Sequence, residues 1–356
     1  MPDDLLGDLL RQVSRSFYLS IAILPRDLRE PIGLAYLLAR AADTVADTRV
    51  LGRSERLAHL ATLRRAYAGQ PAEVATVAAA CSPHQAGAEG RILQRVPEAV
   101  ARLSHLPPAD RDRVRSVLDT LTSGMVFDLT RFPGEDAATL AALETLEDLD
   151  HYTYLVAGCV GPFWTALHVA HRPRLAGWNL TEMSARSLRF GKALQMTNVL
   201  RDVPGDLRQG RCYLPARELA ALGVRPRDLL EPGVTRRARP LLDRLLGLAL
   251  EHYEVAWQYA LAIPRLEWRL RLACAWPLLI GLGTIRELAA HPDPLTAPGP
   301  IKIGRREVRL LLARSVASVW SDAALSREAT RLKRRIHLAH HGPPYAVSAS
   351  AGGPSG

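Results

Sequence analysis

An all-α fold follows from three features of the 356-residue sequence. Apolar residues recur at i, i+3 and i+4 along most of the chain, the spacing of a single buried helix stripe. Alternating Val/Ile/Thr runs bounded by turns are missing, so strands have little support. Loops rich in proline and glycine punctuate the helical pattern at 131–134, 172–173, 223–235 and 290–304.

Taken in order, residues 5–13 carry leucines at helical spacing and run into Ser14. Residues 27–48 follow Pro25, whose fixed φ suits a helix start, and 54–67 form an amphipathic stretch. Residues 72–98 are alanine-rich with breaks at Pro83 and Pro97, and 108–130 open on a proline pair followed by an acid. A helix over 140–150 leads into a tyrosine segment beginning at Tyr152. The most apolar stretch, 272–285, is too short to cross a bilayer and ends at Arg286, so it reads as a buried helix, and no membrane-spanning helix is expected. Residues 1–341 are expected to form one helical bundle, because the two acidic motifs described below lie about 160 residues apart and must meet on one substrate. The tail 342–356, rich in Gly, Ser, Ala and Pro, is expected to be disordered.

The chain carries 46 Lys+Arg against 36 Asp+Glu, a formal charge of +10. Such a balance suits nucleic acid, an anionic membrane or an anionic substrate. Aromatic residues are only 6 % and no nucleic-acid motif accompanies the charge, which argues against nucleic acid. The basic run 331–341 suits either an anionic membrane surface or a solvated terminal helix. Cys81, Cys159, Cys212 and Cys274 are scattered without metal-ligand spacing and read as reduced thiols. Asp3 and Asp4 open a terminus that lacks the basic-then-apolar signal pattern, so a cytoplasmic location is expected; the chain is expected to be a monomer.

The chemistry is carried by two carboxylate pairs, Asp43 with Asp47 and Asp202 with Asp206. Each has i, i+4 spacing, which puts both side chains on one helix face a turn apart. One such pair by itself most often marks a solvated face. Both pairs here sit in apolar sequence beside arginine, where unpaired carboxylates carry a desolvation penalty and call for a counter-ion. Magnesium suits them, since it takes hard oxygen ligands from one or two carboxylates and completes its shell with substrate phosphates. Arg40, Arg201 and Arg211 flank the pairs with guanidinium forks that match phosphate oxygens. Tyr36, one helical turn before Arg40, is a candidate for the same pocket, against the commoner role of a core tyrosine.

These residues resemble the squalene/phytoene synthase family, the head-to-head prenyl transferases. Asp43 to Asp47 is similar to the family's D-x-x-x-D, and Asn198, Arg201, Asp202 and Asp206, followed by Arg211 and Tyr213, to its second signature. Ser14, Arg15, Ser16 and Phe17 resemble its S-R-S-F substrate flap, and the segment 152–158 its Y-x-x-x-V-A-G. The resemblance runs from about residue 10 to about residue 315 and implies an isoprenoid-synthase bundle around a central cavity. It implies Mg²⁺ on Asp43, Asp47, Asn198, Asp202 and Asp206, and diphosphate on Arg40, Arg201 and Arg211. It also implies a flap that excludes water, and Tyr152 beside the carbocation and the released diphosphate, with Tyr154 as its neighbour and rival.

Within the family, the wording around Arg211 and Tyr213 is closer to phytoene synthases. The segment from Leu272 to Pro277 and the run from Pro300 through Lys302 to Arg305 resemble squalene synthases, which implies NADPH on Lys302 and Arg305. The expected activity is therefore condensation of two farnesyl diphosphates to squalene, with phytoene or dehydrosqualene synthesis, free of NADPH, as the alternative. Non-catalytic relatives acting as assembly factors tend to have lost the aspartates, and all four are present here. Greasy substrate and product imply peripheral contact with a membrane.

Overall fold

The computed structural model describes residues 5–14 and 17–341, with side chains as far as Ile336. Arg15, Ser16 and the tail 342–356 lie outside the described residues. Nine helices define the site and its surroundings: α1 (Arg26–Ala46), α2 (Pro108–Arg131), α3 (Leu146–Thr153), α4 (Val160–His171), α5 (Leu180–Arg208), α6 (Thr235–Ala262), α7 (Trp268–Ala290), α8 (Arg305–Ser318) and α9 (Asp322–His341). Four shorter helices, Arg53–Tyr67, Val74–Cys81, Gly87–Gln94 and Val96–His105, fill the connection between α1 and α2.

The long helix α5 forms the axis, packed along α6 and α4 and reaching α7. α1 lies against α2 and buries Leu34, Leu37, Leu38, Ala41, Ala42 and Val45 along one stripe. The ends are set by local chemistry. Pro25 precedes α1, and Asn179 caps α5 by accepting from the Glu182 amide. Thr145 and Asp148 close a reciprocal capping box at the start of α3.

α3 passes into α4 through a single wide π turn, Tyr154–Gly158. This turn lies against α5 because two glycines leave room for backbone. A Cβ on Gly191 would stand 2.2 Å from the Ala157 carbonyl oxygen, and one on Gly161 would stand 2.0 Å from that of Ser187.

Two departures from the sequence reading have physical causes. The helix expected over 140–150 begins only at Leu146, because Ala141–Ala142 (β1) pair in parallel with Arg211–Cys212 (β2). The Ala141 amide donates to the Gly210 carbonyl at 3.1 Å and the Leu143 amide to that of Cys212 at 2.9 Å. Segments this short carry no alternating pattern to read. Second, Leu146–His171 and Arg265–Ala290 are long and apolar enough to cross a membrane, where none was expected. Inside the bundle 56 % and 78 % of their apolar windows are buried, which accounts for the composition as that of core helices.

Candidate active site

Two cavities share a wall in the middle of the bundle. The first, about 370 Å³, is apolar and is formed by side chains such as Phe17, Ile32, Val117, Phe163, Trp164, Phe190 and Leu194. The second, about 440 Å³, holds Arg40, Asp43, Asp47, Asp128, Tyr152, Arg211 and Tyr213. Tyr36, Ala39, Leu121, Val156, Gln195 and Asn198 line both. Each is of a size that takes a small ligand, and together they offer an amphiphile a charged end and an apolar end.

The charged end draws on four elements. α1 brings Arg40 and Asp43, with Asp47 as its C-cap, because i, i+4 spacing stacks the two acids on one face. Arg40 is held between Asp43 and Glu89, the latter at 2.6 Å. α2 brings Asp128, and α3 brings Tyr152. The β1–β2 pairing fixes Arg211 immediately after a left-handed turn at Gly210, φ +80°, which returns the chain from the end of α5.

Arg211 is the hub. Its side chain is only 16 % exposed, with Nη1 3.0 Å from Asp128 Oδ2 and Nη2 3.5 Å from Asp47 Oδ1. Asp128 also accepts from the Tyr213 hydroxyl at 2.5 Å, and the Tyr213 ring stacks on Tyr152 at 4.5 Å between centroids. Gln195 donates to the Tyr152 hydroxyl at 3.5 Å, and Asn198 donates to Gln195 at 3.2 Å.

The electrostatics follow from this crowding. Burial, and then the neighbouring Asp47, push the Asp43 carboxyl up to about 6, against the pull of Arg40 and Arg211. Asp43 keeps open surface, but that surface faces the cavity inside the bundle, so loss of bulk water still dominates. Burial, and then Asp202, push Asp206 up to about 7, with Arg211 pulling it down and Asp128 adding to the rise. Asp128 itself is raised by burial. Burial and the charge of Asp128 raise Tyr152 well out of the range in which a phenol ionises at neutral pH.

The structure brings about half of the sequence candidates to the two cavities. Asp43, Asp47, Asn198, Arg40, Arg211, Tyr36 and Tyr152 line the polar cavity, whereas Tyr154 lines neither. Asp202, Asp206 and Arg201 line neither cavity; Arg201 Nε is bound to Asp202 at 2.8 Å, while the Asp206 charge acts on Tyr152 and Tyr213. Phe17 stacks on Tyr36 at 5.5 Å and faces the apolar chamber. The Ser14 hydroxyl is buried, donating back to Leu10. Lys302 and Arg305 are exposed and line neither cavity.

The sequence reading gives no role to Asp128 or Gln195, and it names Tyr213 only as part of the second signature. The signal for Asp128 was a lone acid in the apolar run from Gly124 to Leu129, and Tyr213 stood two residues beyond Arg211.

Among the described residues, no three His, Cys, Asp or Glu side chains converge to hold a metal by themselves. The acid pairs nevertheless suit magnesium. It uses one or two carboxylates and leaves the remaining positions to phosphate and water, and Asp43 and Asp206, raised by burial first and by a neighbouring acid second, are carboxylates that a bound cation would favour in their charged form.

Residues 10–310 match the family model described as squalene/phytoene synthase. Phytoene synthase of Arthrospira platensis is 27 % identical over 274 residues, covering 74 % of this chain and 78 % of that protein. Squalene synthase of Cyberlindnera jadinii is 26 % identical over 337 residues, covering 94 % and 71 %. Among solved structures, the complex of TcSQS with the ligand BPH1237 superposes with a TM-score of 0.75 at 22 % identity, covering 97 % of this chain and 92 % of that one. A dehydrosqualene synthase in complex with ligand gives 0.61 at 20 % identity, covering 92 % and 95 %. At these identities the structural likenesses speak for the all-α isoprenoid-synthase fold alone.

Proposed function

The chain belongs to the squalene/phytoene synthase family and is an enzyme of prenyltransferase type, and from that premise we propose that it joins two farnesyl diphosphates head to head, through presqualene diphosphate, to squalene. The observation that carries the reading is the pair of joined cavities, one polar with five charged side chains, the other apolar.

In this reading the allylic C–O bond of one substrate breaks, leaving a carbocation and diphosphate. The double bond of the second substrate attacks the cation, and loss of one proton closes the cyclopropane. Arg40 and Arg211 receive the diphosphate oxygens, exchanging carboxylate partners for phosphate. Asp43, Asp47, Asn198, Asp202 and Asp206 would hold Mg²⁺, which supplies neutralisation of the charge developing on the leaving group. Tyr152 keeps its proton at neutral pH, so its hydroxyl meets an oxyanion as a donor, and the departing diphosphate is the base that takes the lost proton. The apolar chamber shields the cation from water, which would quench it to an alcohol. Substrate tails and product both partition out of water, so the reading includes peripheral contact with a membrane.

Formation of squalene needs a hydride from NADPH. The residues expected to meet it, Lys302 and Arg305, line neither cavity, and no step is derived through it. That observation favours a second reading, in which the reaction ends by proton loss to dehydrosqualene or phytoene. Incubation with Mg²⁺ and farnesyl or geranylgeranyl diphosphate, each with and without NADPH, separates the two by product mass. Squalene formed only with farnesyl diphosphate and NADPH supports the first reading. A product independent of NADPH selects the second, and no hydrocarbon under any condition refutes both.

A further inference from the structure

Helix α8 packs one face on α7 and leaves the other to solvent. The buried side is fixed at two levels: Glu307 pairs with Arg286 at 2.7 Å, and Ser315 accepts from the Trp276 indole at 2.9 Å. At 100° per residue, the opposite side of α8 carries Arg306 and Arg309 in its first half and then Val316, with Leu310 flanking them; exposed Lys302 precedes the helix, and half-exposed Trp320 follows it, its ring 6.1 Å from that of Trp268. Leu310, Val316 and Trp320 are 47 %, 48 % and 53 % exposed, and Leu266, 68 % exposed, adjoins Trp268. Half of the large exposed apolar side chains among the described residues therefore gather at one end of the molecule. The nearby acids are engaged elsewhere, Glu307 with Arg286 and Glu328 with Arg314. The basic run of α9 is partly engaged as well, since Lys333 pairs with Glu254 and both Arg331 and Arg335 act on Glu307.

We propose that this outer face of α8 docks on an anionic lipid bilayer, with Trp320, Val316 and Leu310 entering the interfacial layer while Lys302, Arg306 and Arg309 meet lipid phosphates. Charge complementarity selects this occupant. A second copy across a two-fold axis would set the cationic half against either the same cations or the apolar half, and neither answers it, whereas an anionic bilayer surface answers both halves of the face. Tryptophan suits the level of the headgroups, where an apolar ring with one N–H donor is at home. The proposal rests on the function proposed above, because a bilayer is where prenyl tails reside and hydrocarbon leaves.

The test is sedimentation of the full chain with phosphatidylcholine vesicles, with and without phosphatidylglycerol. The wild type is expected to pellet with the anionic vesicles and to be released by salt. Arg306→Gln with Arg309→Gln should weaken that binding roughly 30-fold, from the usual contribution of two surface cations. Val316→Ser with Trp320→Ser should also weaken it at low salt, where the wild type stays bound, by removing the apolar contact. Both pairs should turn over dispersed prenyl diphosphate at the wild-type rate, since neither touches a cavity. Failure of the wild type to pellet with anionic vesicles, or unchanged binding in both variants, overturns the proposal. So does a dimer that the Trp320 variant converts to monomer without any vesicle binding. Vesicle binding with no turnover of any prenyl diphosphate would instead refute the enzymatic reading and leave the docking face standing.

Discussion

Replacing Arg211 by glutamine tests whether one guanidinium holds the acid cluster together. The side chains of Arg211 and Asp128 are 16 % and 15 % exposed, and their contact at 3.0 Å is the closest ion pair Arg211 makes. Removing one partner of a buried pair costs about 3–5 kcal/mol when the other charge must remain. Asp128 has an escape, because it can take a proton. At pH 7, holding it neutral against an unfolded value near 3.9 costs about 4 kcal/mol, from roughly three pKa units at 1.36 kcal/mol each. That route caps the loss, so Arg211→Gln is expected to lose about 2–4 kcal/mol at pH 7. The sign of the pH dependence follows. The folded-state value of Asp128 lies above the unfolded one, so the destabilisation is largest above the folded value and fades as pH falls toward about 4. At pH 5 the same cap is only about 1.5 kcal/mol. Urea denaturation at both pH values measures this. Adding Asp128→Asn should recover most of the stability, since an amide still accepts from Tyr213, while turnover stays lost with the guanidinium. A single variant within about 0.5 kcal/mol of wild type at pH 7, or a double variant as unstable as the single, refutes the hub.

Asp43→Asn or Asp202→Asn should abolish Mg²⁺-dependent diphosphate release from farnesyl diphosphate with the far-ultraviolet circular dichroism unchanged; near-normal release in either variant removes that pair from the metal site. Tyr152→Phe should lower kcat more than it raises KM, because the lost hydroxyl serves the leaving oxygen, and an unchanged kcat dismisses Tyr152 from the chemistry. Asp43 and Asp206, raised to about 6 and about 7, must shed protons before they ligate a cation. Mg²⁺ affinity, measured with a diphosphate analogue, should therefore climb between pH 5 and 8, with proton release visible in calorimetry as a dependence on buffer ionisation enthalpy. A flat affinity across that range contradicts the crowding described here.

What the sequence made legible was whatever repeats within a helix. The i, i+4 acids, the apolar stripe of α1 and its start at Pro25 follow from periodicity and proline chemistry, and the structure places α1 at Arg26–Ala46 against an expected 27–48. What it hid depended on distant segments meeting. The β1–β2 pairing replaces an expected helix turn with backbone bonds across some seventy residues, and no local pattern announces that. Asp128 looked like a stray acid in an apolar run until Arg211 and Tyr213 arrived beside it from beyond α5. Lys302 and Arg305 show the opposite case, where a matching segment did not bring its side chains to either cavity.

The arrangement also constrains how a diphosphate could enter. In the wall of the polar cavity, among the described residues, Asp43, Asp47 and Asp128 face only Arg40 and Arg211 as cations, and Asp206 adds its field from α5. Burial first, and then the charge of a neighbouring acid, pushes Asp43 and Asp206 toward protonation. A bare diphosphate would add like charge to this wall and meet guanidiniums already bound to acids. Divalent cations held by Asp43 and Asp47 would offset that charge and would leave Arg40 and Arg211 available to phosphate. The apolar chamber cannot supply this, because its lining offers a prenyl tail contact but offers a phosphate nothing charged. The charged end therefore sets the condition for entry, and the greasy end sets what may follow it in.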